Sequence, residues 1–187
     1  MKQLNKYIEE AWSGVKQHTN NANIEAWCDE MGIENYTINS QGEIDVDGDV
    51  DLVDKDFKEL PHKFGIVNGF FNIRGCNNLT SLKNCPNQVN GDKFSCKDCN
   101  NLKTMIGCPS YIKGSLLCNW CKKLISLEGC PKEVGRNFYC NSCMKLDSLK
   151  GCPKKVERNF YCGNCKGDFT KDEVQSLCKV TGIVDLN

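Results

Sequence analysis

The stretch FYCNSCMKLDSLKGCPKKVERN, residues 138–159, decides the fold because it is one complete unit of a repeat. The 22 residues before it, LLCNWCKKLISLEGCPKEVGRN, place cysteine, leucine, proline and valine at the same offsets. The same period gives four C-x-x-C pairs, at Cys96/Cys99, Cys118/Cys121, Cys140/Cys143 and Cys162/Cys165. A fixed period of this length is typical of a solenoid, in which successive turns stack equivalent residues into columns.

The apolar residues between the cysteines follow the same period, which predicts four buried columns. These are Phe71, Phe94, Leu116, Phe138 and Phe160; Leu79, Leu102, Leu124 and Leu146; Leu82, Met105, Leu127 and Leu149; and Val89, Ile112, Val134 and Val156. One residue is inserted between Cys85 and Cys108, which are 23 apart. Because every turn contributes the same inward-pointing set, neighbouring turns bury each other's apolar surface.

Residues 138–146 have the form L-x-L-x-x-C-x-x-L, with Phe138 and Cys140 at the two strand leucines. This pattern resembles the cysteine variant of the leucine-rich repeat over about residues 50–165, and its period lies within that family's range. The resemblance implies an α/β solenoid with a short-stranded parallel sheet on the concave face and helical caps at both ends. Because each return segment contains a proline, we expect an extended, irregular or 3₁₀ convex side rather than long helices.

The flanking segments predict three regions. Residues 1–49 are expected to form a helical N-terminal cap with a β-hairpin, residues 50–167 a solenoid of about five repeats and a partial sixth, and residues 168–187 a C-terminal helical cap. One helical face collects Leu4, Tyr7, Ile8, Ala11, Trp12 and Val15. A second helix is expected around residues 23–31, and a hairpin turn at Asp47-Gly48. The capping box from Thr170 to Glu173 predicts a helix through about Cys178.

Composition and charge limit the setting in which this chain works. The N-terminus has no continuous apolar segment of the kind found in export signals, and no run of eighteen apolar residues occurs. We therefore expect a cytoplasmic protein without a membrane span, whose fifteen cysteines stay reduced. The zero net charge conceals a polarised chain: residues 1–60 hold 14 acidic and 5 basic side chains, and residues 61–187 hold 10 and 19.

The cysteines admit a structural, a metal-binding and a redox interpretation. In the repeat register Cys140 replaces a buried leucine, and Cys143 occupies a position whose side chain hydrogen-bonds the turn backbone; buried free cysteine suits both. The C-x-x-C spacing also fits a zinc site, whose ligands would be Cys96, Cys99, Cys118, Cys121, Cys140, Cys143, Cys162 and Cys165. Zinc would leave the cysteine before each proline unused, so we expect no metal and no cofactor and keep zinc and thiol chemistry as alternatives.

Catalysis has little support in this sequence. The two histidines, His18 and His62, lie outside the repeats, and no P-loop, H-E-x-x-H motif or Ser-His-Asp pattern is present. Four equivalent buried thiol pairs offer no distinguished nucleophile. We therefore expect a protein that is not an enzyme.

The outward positions of the predicted strands give a candidate binding face. Alternate strand residues leave the core, so this face consists of Arg74, Lys97, Leu117, Asn119, Trp120, Asn137, Tyr139, Asn141, Asn159 and Tyr161. Aromatic residues ringed by adaptable polar groups are the composition of protein-binding hot spots. The prediction is a protein-binding module, with the alternative that these aromatics only shield the sheet.

The words SLEGCPKEV and the acidic helical N-terminal segment resemble leucine-rich-repeat proteins of tailed bacteriophages. That resemblance implies an accessory factor, acting in the host cytoplasm, that captures or inhibits a host protein such as a defence component by steric occlusion. The alternative function is a zinc-binding C-x-x-C module that binds nucleic acid, although a pI of about 6.7 is not typical of a dedicated nucleic-acid binder. The sequence leaves the oligomeric state open.

Overall fold

The computed structural model describes the backbone of residues 2–187 and the side chains of residues 5, 6, 9 and 20–187, and it forms a β-solenoid. Its helices are α1 (Lys2–Met31) and α2 (Lys171–Leu177). The strands, in chain order, are β1 (Tyr36–Ile38), β2 (Ile44–Val46), β3 (Val50–Asp51), β4 (Phe64–Val67), β5 (Phe71–Asn72), β6 (Gln88–Val89), β7 (Lys93–Ser95), β8 (Tyr111–Ile112), β9 (Ser115–Leu117), β10 (Glu133–Val134), β11 (Phe138–Tyr139), β12 (Lys155–Val156), β13 (Phe160–Tyr161), β14 (Lys179–Val180) and β15 (Val184–Asp185).

The strands form two sheets, and each turn contributes one strand to each of them. Sheet A has the order β1-β2-β4-β6-β8-β10-β12-β14, and sheet B has the order β15-β13-β11-β9-β7-β5-β3. The pairings are parallel, except that β1 runs antiparallel to β2. The repeat solenoid predicted from the period is therefore confirmed.

The register of the sheets confirms two of the four predicted columns, and the residues of the other two are also buried. In sheet B the paired positions run through Phe71, Phe94, Leu116, Phe138 and Phe160, all of them fully buried. In sheet A they run through Val89, Ile112, Val134 and Val156, again buried. Backbone hydrogen bonds between turns hold this register. It is strongly specified, because a slip of one residue would turn every buried strand side chain outward.

The return segment is extended, which is one of the expected alternatives, but it is more regular than an irregular or 3₁₀ convex side. It contains a strand of two to four residues in every repeat, and these strands pair in parallel within sheet A. The proline does not prevent this, because Pro131 lies two residues before β10 and its missing N–H is not needed for the strand pairing. The buried Val134 then fills the core from the second side.

The expected hairpin is formed one segment earlier than predicted. Strands β2 and β3 belong to different sheets, so Asp47-Gly48 is a corner between sheets and not a hairpin turn. The hairpin is β1–β2, and Asn39 closes its turn by accepting hydrogen bonds from the N–H groups of Gln41 and Glu43 at 3.0 and 3.1 Å. Parallel stacking consequently extends back to β2.

The two helices lie at opposite ends of the chain. Helix α1 is continuous to Met31, so the separate helix expected at residues 23–31 is its last part; the apolar face expected at Leu4 to Val15 lies outside the described side chains. Within α1, Ile24 and Cys28 are buried. The Trp27 ring contacts those of Phe57, His62 and Phe64, with centroids 6.2, 5.4 and 6.0 Å away.

Helix α2 begins where the capping box predicts. The Thr170 hydroxyl accepts a hydrogen bond from the Glu173 N–H at 3.1 Å, which satisfies one of the free donors at the helix start. After α2 the chain returns to the solenoid, since β14 pairs with β12 and β15 pairs with β13. Residues 168–187 therefore contain two strands as well as the predicted helix.

We predict that Gly114→Ala destabilises the fold and Gly48→Ala does not. A Cβ at Gly114 would overlap the Asp92 carbonyl of the neighbouring turn, whereas a Cβ at Gly48 would meet nothing within 4 Å. Overpacking against fixed backbone costs about 1–3 kcal/mol. Urea unfolding should therefore give a lower midpoint for Gly114→Ala only; equal midpoints for the two variants would contradict the observed spacing of the turns.

Candidate functional site

The outward face of sheet B carries a stripe formed by Leu117, Tyr139 and Tyr161. These residues occupy paired positions on β9, β11 and β13, and each is half-buried. The tyrosine rings stack with centroids 4.5 Å apart and planes 1° from parallel. Each ring of this tyrosine pair covers one face of the other, and both tyrosines remain partly exposed.

Two asparagines hold the tyrosine pair in place. The side-chain amide of Asn137 donates to the Tyr139 hydroxyl at 3.2 Å, and that of Asn159 donates to the Tyr161 hydroxyl at 3.1 Å. Their carbonyl oxygens accept from the next turn: Asn137 from the Asn159 N–H at 3.1 Å, and Asn159 from the Ile183 N–H at 3.0 Å. Each asparagine therefore forms a clamp: its amide binds the tyrosine hydroxyl, its carbonyl oxygen binds the backbone of the next turn, and the tyrosine rotamer is fixed between them.

The environment keeps the Tyr139 phenol in its neutral form. Burial raises the pKa of Tyr139, and the neighbouring Tyr161 raises it further. The phenol accepts the Asn137 amide, and its own O–H bonds with the neighbouring Tyr161 hydroxyl within the pair.

The remaining predicted face residues lie along the border of this stripe. Lys97, Asn119 and Asn141 occupy equivalent positions on successive turns, as the backbone bonds from Asp98 to Asn119 and from Trp120 to Asn141 require. Asn119 is only 8% exposed, whereas Trp120 is 49% exposed. Arg74 lies further toward the N-terminus, where its guanidinium pairs with Asp98 at 3.5 Å.

The structure also sets the limits of the stripe. Ser95, which pairs with Leu117, is 3% exposed and so does not extend the face. At the other end Asp185 pairs with Tyr161, and the adjacent Ile183 is exposed. The sequence did not predict these two residues as part of the face, because residues 168–187 were assigned to a cap. The signal was present: Val184 and Asp185 pair with Phe160 and Tyr161, so residues 183–185 alternate between the core and the surface as residues 159–161 do.

The second cysteine of each C-x-x-C pair donates its thiol to a carbonyl of the preceding turn. Cys121 Sγ donates to Cys96 O at 3.2 Å, and Cys143 Sγ donates to Cys118 O at 3.3 Å. The same bond recurs for Cys99 and Cys165, at 3.2 Å in both cases. The predicted hydrogen bond from this position to the turn backbone is confirmed, and the cysteines are free thiols.

The interior suppresses ionisation of these thiols. Burial raises the pKa of Cys76 to about 11 and that of Cys162 to about 12, and it raises the pKa of Cys140 well above its ordinary range. Metal binding needs thiolates, and within the part of the chain whose side chains are described no group of three or more Cys, His, Asp or Glu is arranged to hold a metal ion. The eight cysteines of the zinc alternative stack along the solenoid instead of converging on one point.

Comparison with protein-family models, with curated proteins and with solved structures gives no match in any of the three. No helix among the described residues is long and apolar enough to cross a membrane. The fold and its outward face therefore carry the functional argument.

We predict that stability falls as pH rises above about 9. A thiol in the unfolded chain ionises near pH 8.5, whereas burial raises the pKa of Cys178 to about 12 in the folded chain. Between these values the folded state binds more protons, so each such thiol loses up to about 1.4 kcal/mol of stabilisation per pH unit.

The matched variant is Cys178→Ala, compared with the parent protein by urea unfolding from pH 8 to pH 11. The variant should be less stable at pH 8 but should lose stability less steeply, by about 1.4 kcal/mol per pH unit. Identical slopes would show that Cys178 does not stay protonated inside the fold.

Proposed function

We propose that this protein is a non-enzymatic binding module that captures another protein through the outward face of sheet B. The observation that carries the proposal is the tyrosine pair, which is stacked, clamped by Asn137 and Asn159, and still partly exposed. Tyrosine is enriched at interface hot spots because it offers a large apolar surface together with a polar group.

Preorganisation is the physical reason for preferring this face. Immobilising a flexible side chain at an interface costs about 0.5–1.5 kcal/mol. The clamps and the stacking have already fixed the rings of Tyr139 and Tyr161, so little of this cost remains at binding. A regular parallel sheet beneath them keeps the spacing of the stripe constant.

The finer form of the proposal follows the resemblance drawn from the sequence. The chain would be a cysteine-type leucine-rich-repeat protein, with the sheet-B face as its concave side and α1 and α2 as parts of its caps. It would act in the cytoplasm of a bacterial host as a phage-encoded factor, and it would inhibit a host protein by occlusion. The resemblance of the repeat sequence, such as SLEGCPKEV, to leucine-rich-repeat proteins of tailed bacteriophages supports this finer proposal.

The test is affinity capture from bacterial lysate with the purified, reduced protein. Tyr139→Ala/Tyr161→Ala should weaken capture about 30-fold or more, the usual effect of losing a hot spot worth about 2 kcal/mol. Tyr111→Ala is the matched control because Tyr111 is 50% exposed but lies on sheet A.

A second double variant separates the rings from their hydroxyl groups. Tyr139→Phe/Tyr161→Phe keeps the stacked rings and removes the two hydroxyls that the asparagines clamp, so its capture should be intermediate. Capture that survives the alanine pair, or that Tyr111→Ala weakens equally, would overturn the assignment of the binding face.

A further inference from the structure

Trp120 occupies a backbone position that does not suit a tryptophan. Its φ is +65°, in the left-handed region that disfavours side chains with a Cβ. The equivalent corner of the other turns has the same conformation and holds small or turn-forming residues: Asp54, Gly75, Asp98, Ser142 and Asn164. Asn, Asp and Gly adopt this conformation most readily, so the tryptophan is the exception in this column.

Burial does not compensate for this strain. The Trp120 side chain is 49% exposed, and it is one of the largest exposed apolar groups among the described side chains. A residue that is unfavourable both in backbone conformation and in exposure does little for the isolated fold. Strained residues of this kind concentrate at functional sites.

The residue next to Trp120 gives an independent indication of a ligand. Asn119 is 8% exposed, and its side-chain oxygen Oδ1 is buried without a hydrogen-bond partner. An unsatisfied buried polar atom destabilises a protein, and most such atoms are paired. Because Oδ1 is buried in the free protein, an outside donor reaches it once the Asn119 side chain turns outward, at the residue that precedes the exposed indole.

The charges around this corner are mostly positive. Lys97 lies on the preceding turn at the position equivalent to Asn119, and Lys122 follows Trp120 by two residues and is exposed. The acidic group of the preceding turn, Asp98, is already paired with Arg74 at 3.5 Å. A partner segment with carboxylates would complement this charge.

We propose that the Trp120 corner, formed by Lys97, Asn119, Trp120 and Lys122, anchors an extended acidic peptide segment of the partner protein. An apolar side chain of the segment packs on the indole, a backbone N–H donates to Asn119 Oδ1, and carboxylates pair with the lysines. This inference rests on the proposed protein-binding function and assigns the chemical class of the bound segment.

The same observations favour a peptide over a single-stranded nucleic acid. Proteins that bind single-stranded nucleic acid stack successive bases on several aromatic side chains. Tyr139 and Tyr161 are half-buried and cover one face of each other at 4.5 Å, whereas Trp120 is 49% exposed and is the most exposed ring of this region. A phosphate oxygen is an acceptor and cannot satisfy the acceptor Asn119 Oδ1.

The probes are three defined molecules added to the isotopically labelled full chain. The first is a 12-residue peptide of glutamate and serine with two central leucines, the second has lysine in place of each glutamate, and the third is a 12-nucleotide oligothymidylate. Nuclear magnetic resonance follows the Trp120 indole N–H and the Asn119 side-chain amide. Only the glutamate peptide should shift both signals saturably.

Trp120→Asn is the decisive variant because asparagine occupies the equivalent corner at Asn164. It should weaken binding of the glutamate peptide about 30-fold, while its thermal unfolding midpoint stays equal or rises as the strain is relieved. Ser142→Asn is the matched control: it introduces asparagine at the equivalent corner one turn further along, and it should leave binding of the glutamate peptide unaltered.

Three results would overturn the proposal: equal shifts with the glutamate and lysine peptides, no shift with either, or selective shifts with the oligonucleotide. A lower unfolding midpoint for Trp120→Asn would also contradict it, since the tryptophan would then serve the fold. The tyrosine variants test the proposed function separately. If capture depends on the tyrosines but the glutamate peptide does not bind, only this inference fails. If the glutamate peptide binds but capture does not depend on the tyrosines, only the assignment of the stripe as the binding face fails.

Discussion

Backbone hydrogen bonds between equivalent positions of successive turns are the interaction on which the rest of this structure depends. Phe138 N–H bonds to Asn159 O, and Cys140 N–H bonds to Tyr161 O, at 2.9 Å in both cases. This spacing repeats every 22 residues through the C-terminal turns, so any side chain is stacked directly on its counterpart. Buried columns, thiol ladders, asparagine clamps and the tyrosine pair all follow from that register.

Cysteine suits such a column for two reasons. Its small apolar side chain can stack at the close spacing between strands, and its thiol can donate to a backbone carbonyl oxygen of the preceding turn. The bonds from Cys121 to Cys96 O and from Cys143 to Cys118 O show both properties together. Burial raises the pKa of Cys140, and the buried free thiols with their carbonyl bonds favour the structural interpretation of the cysteine columns.

The period made the solenoid and its inward columns predictable, because apolar residues equivalent to Phe138 and Val134 occur at the same positions of the other repeats. It did not reveal sheet A, since a two-residue strand after a proline has too little alternation to distinguish it from an irregular segment. The hairpin turn was misplaced because Asp47-Gly48 is also a good corner. Backbone strain at Trp120 and the unpaired oxygen of Asn119 depend on the folded corner, which spacing alone does not describe.

The central functional claim is that a partner covers sheet B and leaves sheet A open. Hydroxyl-radical footprinting of a captured complex tests it directly. Tyr139 and Tyr161 lie on sheet B, Trp120 lies at the corner that follows β9 of that sheet, and the half-exposed Tyr111 lies on sheet A. The account predicts that complex formation reduces oxidation of the first three residues and leaves Tyr111 unchanged. Protection of Tyr111 with undiminished oxidation of the tyrosine pair would contradict it.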